Sequence, residues 1–238
     1  MIPVRLSVCV AVSALAVALG GQAWARDLPP IKTVGVVSDV GDKIALTHIG
    51  FMVFSNKHSE AEFPDWKLDA SIAGEIEAAL KERYELRAVT FAKGSIAPDL
   101  SPQLFGLPSP DETLRDHATP EGGTPIDAYV AVWPRSAQVF SSNQYVTGVG
   151  LLTRGGRASI YAALAVTLVD GRTFKEIDFC YPRIKDGDID NMRVREDLED
   201  VESFDALAPA QKQGLQQGLK DLVRDSLVYC LRDLKLTP

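Results

Sequence analysis

The stretch from Ile31 to Ala92 constrains this chain most, because strand and helix signals alternate there with clear punctuation. Ile31-Lys32-Thr33-Val34-Gly35-Val36-Val37-Ser38 is β-branched and lies between Pro29-Pro30 and Asp39-Val40-Gly41-Asp42. β-Branched side chains suit strands and Asp and Gly tolerate turn dihedrals, so this reads as a strand closing in a turn. Lys43 to Phe54 reads as a second strand. Ile44, Leu46, His48, Met52 and Phe54 share one face, and Ala45, Ile49, Phe51 and Val53 the other. A strand apolar on both faces belongs inside a covered sheet. Asp69 is placed to N-cap a helix. Ile72, Ile76, Ala79 and Leu80 then recur at spacings of three and four, giving one apolar stripe. Glu77 and Lys81 form a favourable i,i+4 pair on the water side. Leu86 to Ala92 resumes as a strand and stops at Lys93-Gly94-Ser95.

The first residues read as a targeting signal. Met1 to Ala25 holds one basic residue, Arg5, then an apolar run from Leu6 to Leu19, then Ala23-Trp24-Ala25. Small residues at the third-last and last positions suit signal peptidase, so cleavage is expected after Ala25. The competing reading is an uncleaved anchor, but the run falls short of the roughly 20 residues that span a bilayer. Residues 26–238 are thus expected to form a single α+β domain, exported to a bacterial periplasm, with no transmembrane anchor after cleavage. The chain carries net charge −7 and is 46% apolar. That is a globular composition, and an acidic chain is not built to condense on nucleic acid or anionic lipid.

Residues 96–125 change texture. Pro98, Pro102, Pro108, Pro110, Pro120 and Pro125 exclude a long helix or a central strand. A segment this long without regular structure is unusual in a compact domain. It reads as an insertion: a lid or partner-binding loop, or a tolerated addition, with room for a helical turn or two at 111–117.

Strand signals return at Asp127 to Trp133 and at Tyr145 to Thr153. In the second, Gly148 and Gly150 share a face and leave room for a bulky neighbour. Arg154-Gly155-Gly156-Arg157 and Asp170-Gly171 are hairpin turns on either side of the long strand Ala158 to Val169, and Thr173 to Cys180 completes a meander. Pro209 can start the last helix, where its missing N–H is harmless. Leu215, Leu219, Leu222, Val223, Ser226, Leu227, Cys230, Leu231 and Leu234 make its stripe. Gly214 and Gly218 weaken its first turns but allow close approach to the sheet. The fold class is therefore α+β: a mixed, largely antiparallel sheet packed by one crossover helix and one long C-terminal helix.

Two cysteines survive cleavage, Cys180 at a strand end and Cys230 on the inward stripe of the last helix. In an oxidising compartment two such thiols pair; the alternative is two separate buried thiols.

The element order resembles the small periplasmic domain shared by the N-terminal part of the translocation protein TolB, the curli-secretion lipoproteins and lipoprotein activators of penicillin-binding proteins. The residues that carry the resemblance are Ile31 to Val37, the helix Asp69 to Tyr84 with its following strand, Asp127 to Val132, and the hairpin around Val169-Asp170-Gly171-Arg172-Thr173. The chain departs from the group in lacking a lipobox cysteine and in its long insertion. The resemblance implies a non-catalytic binding or envelope-assembly part with a protein or cell-envelope partner.

The chain has no Gly-x-Ser-x-Gly elbow, phosphate loop or His-Glu-x-x-His helix. Of the three histidines, His48 reads as a satisfied core residue on an apolar strand face, and His58 with Glu60 and Glu62 as a solvated loop. Asp186, Asp188, Asp190 and Asp197 imitate calcium-loop spacing, but Arg193 stands at a normally apolar position and no entering helix is evident. An acidic surface loop is the alternative, and no cofactor is expected. Trp133, Arg135 and Tyr145, at the ends of two strands, are the candidate partner contacts, since aromatics and Arg anchor interfaces. The alternative puts Trp133 in the core. A hydrolase or carbohydrate-active enzyme using Asp99, Asp111 or Glu112 is the competing function.

Overall fold

The computed structural model describes residues 30–51, 53–97, 110–139, 144–185, 191–198 and 201–238. The expected signal segment lies outside them. In chain order the elements are β1 (Thr33–Ser38), β2 (Lys43–Ile49), β3 (Lys57–Glu62), α1 (Leu68–Leu80), β4 (Glu85–Arg87) and β5 (Val89–Thr90). Then come α2 (Pro110–His117), β6 (Thr119–Pro120), β7 (Ala128–Pro134), β8 (Ser136–Val139) and β9 (Gln144–Arg154). The chain closes with β10 (Arg157–Asp170), β11 (Glu176–Cys180), β12 (Met192–Val194) and α3 (Pro209–Asp233).

Ten strands form one mixed sheet, in the path β3-β2-β9-β10-β7-β1-β4, with β8 added on β9 and β11 and β12 on β10. The 14-residue β10 organises it. Residues 157–163 pair antiparallel with β9, and residues 164–170 pair antiparallel with β7. The parallel pairs are β1 with β4, β1 with β7, and β2 with β9. The helix α1 makes the crossover between β3 and β4. This is the expected α+β architecture.

The two faces of the sheet are covered differently. On one, Ile72, Ile76 and Leu80 of α1 and Leu215, Leu219, Leu222 and Leu227 of α3 pack on Val34, Ile44, Leu46, Val130, Val132, Leu151, Ile160 and Leu164. The stripe of α3 is buried as its spacing predicts; in α1 Leu68 is buried in place of the exposed Ala79. The disulfide Cys180–Cys230, with Cα atoms 5.5 Å apart, fastens the end of β11 to α3. On the opposite face, Ile96, Leu114, Ala118 and Ile126 cover Val37, Tyr129, Ala131, Trp133, Ala165 and Val169. Those four come from the insertion and its flanks, so the described part of 96–125 is a structural cover and not an appendage.

A second patch of that face is covered by the hairpin of β8 and β9. Gly148 takes φ +64°, a left-handed conformation that glycine adopts without steric cost. The chain bends there, and Val139 and Val146 fold onto Ala45, Ile49, Leu152 and Tyr161. Gly150 leaves the space that the Tyr161 ring fills: a Cβ there would lie 2.6 Å from its hydroxyl. The bulky neighbour expected against the alternating glycines is Tyr161.

Several local expectations are corrected. The second strand ends at Ile49, because Gly50 turns the chain and residues 53–55 form a 3-10 turn. Residues 57–62, read as a loop, form the edge strand β3. The helix begins from Lys67, in left-handed conformation, and not from a cap by Asp69. Asp69 instead accepts from Ser38 Oγ (2.9 Å) and from the N–H of Val40 (2.7 Å) and Gly41 (3.2 Å), bracing the β1–β2 turn. The segment 86–92 splits into β4 and β5, and β5 pairs with β6 inside the insertion. Gly214 and Gly218 make room for Arg195, whose guanidinium donates to Gly214 O at 2.7 Å and lies against Gly218.

Candidate functional site

An open cleft of about 400 Å³ lies beside the disulfide, lined by Arg135, Phe179, Cys180, Tyr181, Pro182, Arg183 and Asp233. Its geometry follows from strand alternation. Cys180 turns inward to meet α3, so Phe179 and Tyr181 turn outward on the other side of the strand. Both rings remain about half exposed, at 48% and 47%. Their centroids are 5.4 Å apart.

Arg135 enters from the turn between β7 and β8. Its guanidinium lies 4.2 Å from the centroid of the Tyr181 ring, a cation–π contact. Nε donates to Leu164 O at 3.2 Å and Nη1 to Ser136 O at 3.3 Å, so the group is held in place by backbone carbonyls. Arg183 pairs with Asp233 of α3 at 2.6 Å. Among the described residues that line the cleft are two guanidiniums and one carboxylate. Such a surface suits a partner that presents a planar or apolar group next to an acidic one.

The other candidates are placed as follows. Trp133 is buried in the core under the insertion, and Tyr145 is exposed at 62% on the β8–β9 hairpin, paired across from Gln138. Of the proposed trio, only Arg135 lines the cleft. Asp197 has both carboxylate oxygens engaged by Arg195, at 2.8 and 2.6 Å, which holds its pKa below the usual carboxylate range. Asp186, Asp188 and Asp190 lie outside the described residues. So does Asp99, as does the side chain of Asp111; Glu112 is exposed. Among the described residues no group of three His, Cys, Asp or Glu side chains is placed to hold a metal.

His48, expected as a satisfied core residue, is instead exposed, with Nδ1 2.9 Å from Thr153 Oγ1. It lines a second cavity of about 280 Å³ with Leu46, Lys57, His58, Ser59, Val201 and Glu202. A third polar group, Ser38, Asp42, Asp69 and Lys93, is held together by its own contacts. Burial pushes the Asp69 carboxyl up, against hydrogen bonds from Val40, Ser38 and Gly41 and the charge of Lys93. Lys93 lies 2.5 Å from Asp42.

The sequence reading missed Phe179, Tyr181 and Arg183. A signal was present in Phe179-Cys180-Tyr181-Pro182-Arg183: once Cys180 is assigned inward, alternation sends both aromatics outward beside an arginine.

No protein-family model matches the chain, and no curated protein matches it. Among solved structures it is similar to a neuraminyllactose-binding hemagglutinin homolog from Helicobacter pylori, over 83% of this chain and 80% of that one. Identity is 11% and the TM-score 0.30, too slight a likeness to carry an argument about fold or role. Among the described residues no helix is long and apolar enough to cross a membrane.

Proposed function

We propose that this protein is an exported, periplasmic, non-catalytic binding domain that engages a protein or envelope component through the Arg135–Tyr181 cleft. The observation that carries the reading is the pair of half-exposed rings, Phe179 and Tyr181, the second of them covered by a guanidinium that backbone carbonyls hold in place. Fixed aromatic and arginine groups lose little freedom on binding, which is why they dominate interface energetics. The disulfide beside the cleft fits an oxidising compartment, and the apolar N-terminal run with Ala23-Trp24-Ala25 fits export. The resemblance of element order to periplasmic assembly domains points the same way.

The test is a crosslinking pull-down from the exported fraction with the unmodified protein, Arg135→Ala and Tyr181→Ala. A partner should be captured by the unmodified protein, and each substitution should weaken it by about 2 kcal/mol, roughly thirtyfold. Equal capture by all three forms would remove the cleft from the function.

A further inference from the structure

The strand β3 ends the path of the main sheet, and among the described residues it pairs only with β2. One hydrogen bond tells which of its backbone groups face outward. The Phe63 N–H donates to Asp42 O at 2.9 Å, one step beyond the ladder that runs from Lys43–Glu62 to His48–Lys57. Asp42 and Phe63 are therefore a hydrogen-bonded pair, and in an antiparallel ladder such pairs alternate with pairs that do not bond each other. Ile44–Ala61, Leu46–Ser59 and His48–Lys57 fall in the bonded class. His58, Glu60 and Glu62 fall in the other, so their N–H and C=O groups point away from β2, and among the described residues no strand takes them up.

An open edge of this kind is a template for a further strand. The strand β3 offers six residues in unbroken register, with no proline and no bulge, whereas β4 at the other end of the path has three. All but Ala61 of the six are exposed. Charge guards this edge, and the charge is selective. His58, Glu60 and Glu62 share one face of the strand. His58 Nδ1 lies 3.0 Å from Thr47 Oγ1, and Nε2 lies 3.6 Å from Glu60. An added strand that sets a carboxylate opposite Glu60 is repelled, and one that sets an imidazole there is favoured.

We infer that β3 is a homodimer edge: it pairs antiparallel with β3 of a second copy, about a two-fold axis at Ser59, so that one sheet runs through both copies. The outward groups fix the register. Only His58, Glu60 and Glu62 have backbone groups to exchange across the seam, so the bonded pairs must be drawn from these three. Centring on Ser59 sets His58 of each copy opposite Glu60 of the other, and each such pair exchanges both backbone hydrogen bonds. Centring on Glu60 opposes its carboxylate to its own copy, and centring on Ala61 opposes Glu60 to Glu62 on both sides of the axis. Centring on His58 leaves both carboxylates beyond the end of the paired strand. The strand is thus complementary to itself in one register, as an isologous interface requires. This surface shares no residue with the cleft.

The experiment is sedimentation analysis of the exported protein and of variants confined to β3. The unmodified protein should sediment as a dimer. Glu60→Pro removes an outward N–H and none that β2 uses, which edge strands tolerate. Its circular dichroism should match the unmodified protein, while the dimer dissociation constant rises at least about tenfold. His58→Glu should weaken the dimer by opposing like charges, and adding Glu60→His to it should restore the dimer. Ser59→Cys reads the register directly. A residue on the axis faces its own copy as a non-bonded pair, with Cα atoms about 4.5 Å apart, within disulfide reach. This variant should form a covalent dimer under oxidising conditions, and Lys57→Cys should not. Arg135→Ala should dimerise like the unmodified protein, so failure of the cleft reading and failure of this one are separable. A monomer at every concentration, a dimer indifferent to Glu60→Pro, no recovery in the swapped variant, or crosslinking at 57 and not at 59 would overturn the proposal.

Discussion

The two faces of the sheet are closed by different means. One is closed by α1 and α3, whose apolar stripes repeat at helical spacing, and a disulfide secures α3. The other is closed by single residues, Ile96, Leu114, Ala118 and Ile126, spread through proline-rich sequence, and by a hairpin bent at Gly148. Periodic burial is visible in sequence because every turn of helix repeats it. Burial by one turn at the end of the short helix α2, through Leu114 and Ala118, and by single residues of irregular backbone such as Ile96 and Ile126 repeats too little to show a period, yet it excludes water equally well. An apolar side chain on a short helix or a loop is worth as much as one on a long helix if it is as fully buried.

Leu219→Ala and Leu114→Ala put that equivalence to the sharpest test. Both side chains are completely buried, and each truncation should cost about 2–5 kcal/mol in urea unfolding. A loss near zero for Leu114 would return the insertion to the status of a tolerated addition and break the comparison. The same burial makes deletion of 98–120 a poor probe of partner binding, because it removes Leu114 and Ala118 from the core. A smaller effect is expected where only one face is stapled. Replacing Cys180 and Cys230 with Ser together should cost about 2–4 kcal/mol, for a loop closed across 50 residues. It should also loosen Tyr181, one residue past the bridge, and weaken the cleft.

The smallest effects distinguish two carboxylates by sign. Asp127, at the end of the insertion, is held below the usual range by hydrogen bonds from the backbone N–H of Thr33 and then Lys32, each 3.0 Å to Oδ2. A depressed folded pKa gives stability that is present above the unfolded value, roughly 3.9, and lost as pH falls through the folded value. Asp127→Asn should therefore be less stable at neutral pH and converge with the unmodified protein in acid. Asp69, on α1, is raised by burial, so its ionisation subtracts stability as pH rises from the unfolded value through the folded one. Asp69→Asn should gain relative stability over that window. Thermal unfolding of both variants across acid to neutral pH reads the two slopes, and slopes of the same sign would contradict the burial assigned to Asp69.

What was legible in the sequence follows the same division. The stripe of α3, the Gly155-Gly156 and Asp170-Gly171 turns and the long β10 rest on local spacing, while the pairing of Cys180 with Cys230 was the favoured of two readings, from two cysteines at inward positions in an oxidising compartment. The strand β3 was hidden because Lys57-His58-Ser59-Glu60-Ala61-Glu62 has no apolar alternation; as an exposed edge strand it needs none. The strands β8 and β12, four and three residues long, are too short to show a period. Asp69 was misassigned because a cap and a turn brace use the same carboxylate chemistry, and only the tertiary position of Ser38 and Val40 separates them. Of the cleft, Arg135 was legible as an arginine after an aromatic strand end. Tyr181 was not, because its role depends on which way Cys180 faces.

The most direct test of the binding reading replaces Tyr181 with a photo-crosslinking amino acid in the exported protein, with Tyr145 replaced in a parallel sample. The account predicts a discrete adduct from position 181 that disappears when Arg135→Ala is added, and no such adduct from position 145. An adduct at 145 but not at 181, or one at 181 indifferent to Arg135, would contradict it.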